Sequence, residues 1–131
     1  MKKIIELNCR IQPNITSLEH EKETVTNVIR NIYELHQNEN NENNKEYALH
    51  CLADSYRYVH NKYSIVPGLY VRYIDTKDHT DMKVKLGGFV ISDNGYSIVY
   101  KNANRFVKLN KKHCILFVSI TYNEQIRCAI E

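Results

Sequence analysis

Residues 85–102 read KLGGFVISDNGYSIVYKN, and this stretch predicts a β-hairpin. Asn94-Gly95 is a strong signal for a tight hairpin turn, because both residues tolerate positive φ. Gly87-Gly88, inside the first strand, predicts a bulge or sharp bend at which the strand curls. A phosphate-binding role for the two glycines is the alternative, but no helix start follows them to supply N–H donors.

The hairpin belongs to a longer series of short strands that begins after Pro67-Gly68, where the apolar period changes from helical to alternating. The series comprises GLYVRYID (68–75), VKLGGFVIS (84–92), YSIVYK (96–101), RFVKL (105–109) and HCILFVSITY (113–122). Five short strands joined by tight turns predict a small SH3-like five-stranded antiparallel β-barrel. QIRCAIE (125–131) is read as a short sixth strand.

The N-terminal half has a different pattern. Residues 3–11 alternate and predict a half-buried strand that Pro13 ends. An apolar stripe at helical spacing predicts a first helix over 17–37, with Thr16 and Glu19 at the spacing of a capping box. NENNENN, residues 38–44, predicts a solvated loop, because asparagine competes with helix by bonding its own backbone.

A second helix is predicted over 45–62, antiparallel to the first. The expected fold class is therefore α+β. An N-terminal strand and two-helix hairpin occupy 1–66, and a small β-barrel domain occupies 67–131.

Size and charge set broad limits on this chain of 131 residues with a net charge of +3. Residues 1–63 carry a charge of −1 and residues 64–131 a charge of +4, so the C-terminal half is mildly basic. The N-terminus lacks a signal-peptide pattern and no apolar run is long enough for a membrane span. We therefore expect an unsecreted, cytoplasmic protein with free thiols.

The sequence gives little support for a metal site or an enzyme active site. Four cysteines show no C-x-x-C spacing, and the His50-Cys51 and His113-Cys114 pairs place adjacent side chains in diverging directions. Asp75, Asp78 and Asp81 fall in one loop, yet their spacing does not match a calcium loop. A hydrolase or nuclease that uses these carboxylates stays open as a minor alternative. We expect no catalytic residues, no metal and no cofactor.

Cations interleave with aromatic residues along the predicted barrel, a pattern that small barrels use to bind nucleic acid. Tyrosine also favours strands, and lysine protects strand edges. The candidate nucleic-acid contacts are Arg72, Lys83, Lys85, Lys101, Arg105, Lys108, Lys111, Lys112, Tyr96 and Tyr100, with Tyr70, Tyr73 and Phe106 nearby.

The C-terminal segment resembles small uncharacterised proteins of large nucleocytoplasmic DNA viruses. Those proteins look like an RY strand, a GGF strand, a Y-x-x-x-K-N strand and a final V-x-L…I-x-F hairpin. The matching residues here are Arg72-Tyr73, Gly87-Gly88-Phe89, Lys101-Asn102, Val107, Leu109, Ile115 and Phe117. The resemblance implies a viral source and a place in the virion, and it brings no catalytic residues.

We therefore expect a non-enzymatic structural or interaction protein, a minor virion component that binds other protein chains or further copies of itself. The alternative is a nucleic-acid-binding module that uses a basic-aromatic face of the barrel.

Overall fold

The computed structural model describes residues 11–130, except for the side chain of Ile130, so the predicted strand over 3–11 falls outside the described residues apart from Ile11. Within this range the fold is α+β, with three α-helices and one antiparallel sheet of six strands. The helices are α1 (Leu18–Glu34), α2 (Glu39–Leu52) and α3 (Tyr122–Ile130), and Lys111–His113 forms one turn of 3-10 helix. The strands are β1 (Tyr56–Val59), β2 (Tyr70–Asp75), β3 (Val84–Asp93), β4 (Ser97–Asn102), β5 (Arg105–Asn110) and β6 (Cys114–Ser119).

The predicted first helix is confirmed, with its cap one residue later than expected. Ser17 has an extended backbone, and its hydroxyl oxygen accepts from the His20 N–H at 3.2 Å. Of the predicted stripe of Val25, Val28, Ile29, Ile32 and Leu35, Val25 and Ile29 are buried and Leu35 is exposed, while Tyr33, which was not predicted, is buried beside them. Helical spacing therefore identified the packing face, although the helix ends at Glu34.

The asparagine-rich segment is not a loop but the first half of α2, so that prediction was wrong. Asn38 caps the helix, because its side chain accepts from the Asn41 N–H at 2.9 Å. The buried Asn41 amide donates to the carbonyls of His36 and His79, at 2.7 and 2.8 Å. It also accepts from the Met82 N–H at 2.9 Å. These tertiary hydrogen bonds outweigh the modest helix propensity of asparagine.

The second helix also ends earlier than predicted, at Leu52, and β1 replaces its last turns. Tyr56 and Tyr58 lie in β1 opposite Ser119 and Phe117 of β6. Aromatic residues favour this pleated, half-buried setting. β1 lies before the predicted domain boundary at 66/67 and β6 lies after it, so their pairing places strands from both sides of this boundary in one sheet.

The strand order is β1-β6-β2-β3-β4-β5. In the described part of the chain, β1 and β5 are the edges of the sheet and do not pair with each other, so the sheet is not closed and the predicted SH3-like barrel is not confirmed. β1 is only four residues long, and the segment before α1 lies along it. The Gln12 side chain donates to the Tyr58 carbonyl at 2.8 Å.

Each face of the sheet carries its own apolar core. On one face, α1 and α2 cover β1, β6 and β2, and the core comprises Val25, Ile29, Tyr33, Ala48, Leu52, Ile74, Met82 and Phe117. On the other face, which we call the inner face, the core comprises Val59, Ile65, Val71, Tyr73, Val90, Ile98, Tyr100, Cys114, Leu116 and Val118. The helices therefore cover only the start of β3, where Val84 packs against this core, and leave the rest of β3 with β4 and β5 uncovered on that side.

The predicted bulge at the double glycine is confirmed. Val71 lies opposite Gly88 and Tyr73 lies opposite Lys85, so β3 holds one extra residue against β2. A Cβ atom at Gly87 would overlap the Val71 carbonyl, and one at Gly88 would overlap the Lys101 carbonyl. Both positions need glycine because neighbouring backbones approach too closely for any side chain.

The last element is a helix, so the predicted sixth strand over 125–131 was wrong. Glu124 accepts from the Thr121 N–H at 2.9 Å, and the Thr121 hydroxyl accepts from the Glu124 N–H at 3.2 Å. This reciprocal pair is a capping box that starts α3.

Candidate interaction surface

The uncovered part of the helix-side face carries a row of side chains that crosses four strands. Tyr70 of β2 lies opposite Phe89 of β3, Phe89 opposite Lys101 of β4, and Lys101 opposite Phe106 of β5. Directly opposite residues of antiparallel strands point to the same face. Phe89 is 56% exposed and Phe106 is 64% exposed.

The members of this row contact one another. The Tyr70 and Phe89 rings meet edge to face with centroids 5.1 Å apart. The Lys101 ammonium lies 5.7 Å from the centre of the Phe106 ring, a cation–π distance. Lys108 lies on the same face, opposite Val99. We name Phe89, Lys101, Phe106 and Lys108 the sheet platform, bordered by the half-buried Tyr70.

The sheet platform contains no carboxylate. Asp93 is the single acidic residue of β3, β4 and β5, and its side chain is buried. One Asp93 oxygen lies 2.8 Å from the Lys111 ammonium and also accepts from the Ile65 N–H at 2.8 Å. Two exposed cations are therefore left on an otherwise apolar and aromatic surface.

Two of the predicted nucleic-acid contacts, Lys101 and Lys108, lie on the platform. Two others are corrected by the structure. Tyr100 points to the inner face and is buried, where its hydroxyl lies 3.3 Å from that of Tyr73. Lys111 is 3% exposed, because its ammonium also donates to the Tyr63 carbonyl at 3.0 Å. Neither side chain is available to a ligand.

The remaining predicted contacts do not gather around the platform. Arg72 is half-buried, with its guanidinium 5.9 Å from the centre of the Tyr56 ring. Lys83 lies 3.5 Å from Asp81. Four more residues are exposed away from the platform. Lys85 lies on the other side of β3, Arg105 is the first residue of β5, and Tyr96 and Lys112 lie at turns.

Phe89 was missed as a candidate because a second bulge changes its partner. A hairpin counted without a bulge from the Asp93–Ile98 pair would place Phe89 opposite Asn102. The structure has one extra residue in β3 between Val90 and Ser92, and Phe89 therefore faces Lys101. The alternation of the strand would have marked Phe89 as exposed, but the register depends on the bulge.

The acidic loop is an ordinary turn. Asp75 accepts from the Lys77 N–H at 3.0 Å, and Asp78 accepts from the Thr80 N–H and hydroxyl at 3.0 and 2.7 Å. These hydrogen bonds hold the pKa of Asp78 below its usual value. Asp81 accepts from the Asn44 amide at 2.8 Å. Asp75 and Asp78 thus accept from donors of their own loop, and Asp81 connects the loop to α2.

The adjacent His and Cys residues do not form a reactive pair. Cys114 is buried and His113 is exposed. Burial raises the pKa of the Cys114 thiol to about 11, and the nearby Asp75 carboxylate acts in the same direction. Among the residues that the structure describes, no group of three or more His, Cys, Asp or Glu side chains is arranged to hold a metal ion.

Comparison of the chain with protein-family models, with curated proteins and with solved structures gives no significant match. Within residues 11–130, none of the helices combines the length and the apolar character required to cross a bilayer.

Proposed function

We propose that this chain is a non-enzymatic interaction protein that binds partner protein chains through the sheet platform. The observation that carries the proposal is the pair of exposed phenyl rings, Phe89 on β3 and Phe106 on β5, held on either side of β4 in one sheet beside the helix layer. Aromatic residues are enriched in protein interfaces, and exposed apolar patches mark docking sites. The strands hold both rings in place, so docking costs little conformational entropy.

Our proposed setting is a DNA virus particle or the host-cell cytoplasm, and it rests on the resemblance of the C-terminal segment. The SH3-like barrel is part of the same proposal. It is supported by the order β6-β2-β3-β4-β5 and by the 3-10 turn that leads from β5 into β6, although the sheet stays open.

A photo-crosslinking residue at position 106 tests the docking role. The partner captured from disassembled particles is identified, purified and titrated against the chain. We expect a Phe89→Ser, Phe106→Ser double variant to lose at least about tenfold in affinity, because buried aromatic anchors contribute about 1–2 kcal/mol each or more. Tyr122→Ser, at an exposed tyrosine of α3, is the matched control. A chain that stays monomeric and binds no particle component contradicts the proposal.

A second candidate function is binding of single-stranded nucleic acid at the same platform. It is favoured by Lys101 between two phenyl rings, because bases stack on aromatic rings while lysines contact phosphates. Lysine is otherwise depleted from the cores of protein interfaces.

Titration with a labelled oligonucleotide separates the two functions. If nucleic acid binds, the affinity falls with salt, with a log–log slope of about −0.7 per phosphate contacted. A Lys101→Glu, Lys108→Glu variant should abolish this binding, whereas Lys112→Glu, outside the platform, should retain most of it. Lys111 is unsuitable as a probe because its replacement would disturb the buried ion pair. If the affinity for the oligonucleotide depends neither on salt nor on the lysine substitutions, this second function is excluded.

A further inference from the structure

β5 is an edge strand with backbone groups that face away from the sheet. In the described chain it pairs with β4 alone, with Ser97 opposite Asn110. The Lys111 N–H donates to the Tyr96 carbonyl at 3.0 Å, and this bond fixes the alternation along the strand. Since backbone groups of successive residues point to opposite sides, those of Phe106 and Lys108 point outward. Asn110 has the same orientation, but its carbonyl already accepts from the Cys114 thiol, so Phe106 and Lys108 are the residues that offer both N–H and C=O to an added strand.

A cavity of about 210 Å³ lies beside this outer edge. Four consecutive residues of β5, 107–110, line it, so the cavity is bordered by the backbone of this edge strand as well as by its inner-face side chains. The Cys114 thiol, across the cavity, donates to the outward carbonyl of Asn110 at 3.5 Å. Val107, Leu109 and Tyr73 give the cavity apolar walls.

The charges around the edge are mostly positive. Arg105, Lys108 and Lys112 are exposed on β5 and on the 3-10 turn that follows it, and neither element contains an acidic residue. Asp75 is the one carboxylate that lines the cavity, and it accepts from the Lys77 N–H. A second copy of β5 would place like charges side by side, whereas carboxylates opposite Lys108 would be attractive.

We propose that β5 binds an extended segment of a partner chain in which apolar and acidic residues alternate. The segment adds a seventh strand to the sheet, as in other cases of recognition by strand addition. Its apolar side chains enter the cavity, and its carboxylates lie on the platform side near Lys108. This inference rests on the proposed function as an interaction protein and identifies the kind of partner segment.

The probe is a synthetic peptide in which four valines alternate with four glutamates, which we call the alternating peptide. The control, which we call the block peptide, has the same composition but places all the valines before all the glutamates. Hydrogen exchange of ¹⁵N-labelled amides reports where each peptide binds. We expect the alternating peptide to protect the Phe106 and Lys108 amides. The Val107 amide, which faces β4, is the internal control and should change little.

A charge-reversal variant tests the electrostatic part of the inference. Lys108→Glu should weaken binding of the alternating peptide about fivefold, by loss of the attractive pair and gain of a repulsive one. An unchanged affinity would show that the peptide's carboxylates do not lie near Lys108.

Three further results would overturn the inference. The first is that millimolar alternating peptide does not protect the Phe106 and Lys108 amides. The second is that the block peptide protects them equally. The third is that, without peptide, their protection grows with protein concentration, which would assign the edge to a second copy.

The Phe89→Ser variant separates this inference from the proposed function. It removes a platform ring but leaves the β5 edge intact, so it should bind the alternating peptide normally while losing affinity for the partner protein. If Phe89→Ser loses affinity for the partner protein and the alternating peptide does not bind the edge at all, the proposed function is retained and the β5 site is rejected.

Discussion

The Lys111 ammonium lies 2.8 Å from the Asp93 carboxylate, and both side chains are almost completely buried. The pair connects the 3-10 turn to the end of β3. Asp93 also accepts from the Gly95 and Ile65 N–H groups, each at 2.8 Å. Lys111 donates to the Tyr63 carbonyl at 3.0 Å, so the segment before β2 is tied to the same point.

Lys111→Met should destabilise the protein by about 3–5 kcal/mol, because it leaves a buried carboxylate without its counter-charge. Urea unfolding followed by circular dichroism measures this loss. Lys112→Met, at the exposed neighbour, is the control and should change stability by less than about 0.5 kcal/mol. Equal stabilities of the two variants would show that the ion pair does not hold the turn.

Gly88→Ala should destabilise the fold by about 1–3 kcal/mol, as expected for overpacking. The added methyl group would overlap the Lys101 carbonyl and lie 2.9 Å from a Tyr100 ring carbon, so β3 and β4 would have to separate. Ser92→Ala, at an exposed position of the same strand, is the matched control. A wild-type unfolding midpoint for Gly88→Ala would contradict the close approach of the two strands.

Cys114 should be the slowest of the described cysteines to react with iodoacetamide. Its pKa of about 11 leaves about one thiol in a thousand ionised at pH 8, and its side chain is buried. Cys51 and Cys128 are half-buried and should be modified first. Peptide mapping by mass spectrometry gives the order. Equal labelling of all three under native conditions would mean that Cys114 is accessible.

Stability should fall as the pH rises above 10, the usual tyrosine pKa. Burial raises the pKa of Tyr33 and of Tyr73 in the folded protein, and the Tyr100 hydroxyl adds to the shift at Tyr73. The unfolded chain therefore loses these protons first. The stability that the neutral hydroxyls contribute is fully present below pH 10 and is lost as the pH rises toward the folded pKa values.

Unfolding free energies measured at pH 8 and at pH 11 test this dependence. A Tyr33→Phe, Tyr73→Phe variant should lose less stability between the two pH values than the wild type. Tyr122→Phe, at an exposed tyrosine, should behave as the wild type does. An unchanged slope in the double variant would rule out these two tyrosines as the cause.

The strands after Gly68 were predictable because their sequence signals are local. Alternation of apolar and polar residues marks the two faces of a strand, and Asn94-Gly95 marks the turn between β3 and β4. The Asn94 side chain accepts from the Tyr96 and Ser97 N–H groups at 2.9 and 2.8 Å, and Gly95 has a positive φ of 94°, although Asn94 does not adopt positive φ. Turn chemistry of this kind is carried by adjacent residues, so the sequence alone is enough to identify it.

The wrong predictions fall where contacts between residues far apart in the sequence determine the structure. The helical start of α2 depends on Asn41, whose hydrogen bonds reach His79 and Met82. Strand β1 depends on pairing with β6. The platform depends on bulges that set which side chains face each other. Local propensity contains none of these long-range terms, so the candidate surface could be predicted only in part from the sequence.

The position of β6 between β1 and β2 has a consequence for synthesis on the ribosome. Phe117, at the centre of the helix-side core, and the rest of the strand that pairs with β1 are translated long after β1 itself. Until β6 leaves the exit tunnel, the apolar stripes of α1 and α2 have no complete sheet to pack on, whereas the β3–β5 meander already can form. A nascent chain stalled before residue 114 is thus the species that most needs a chaperone.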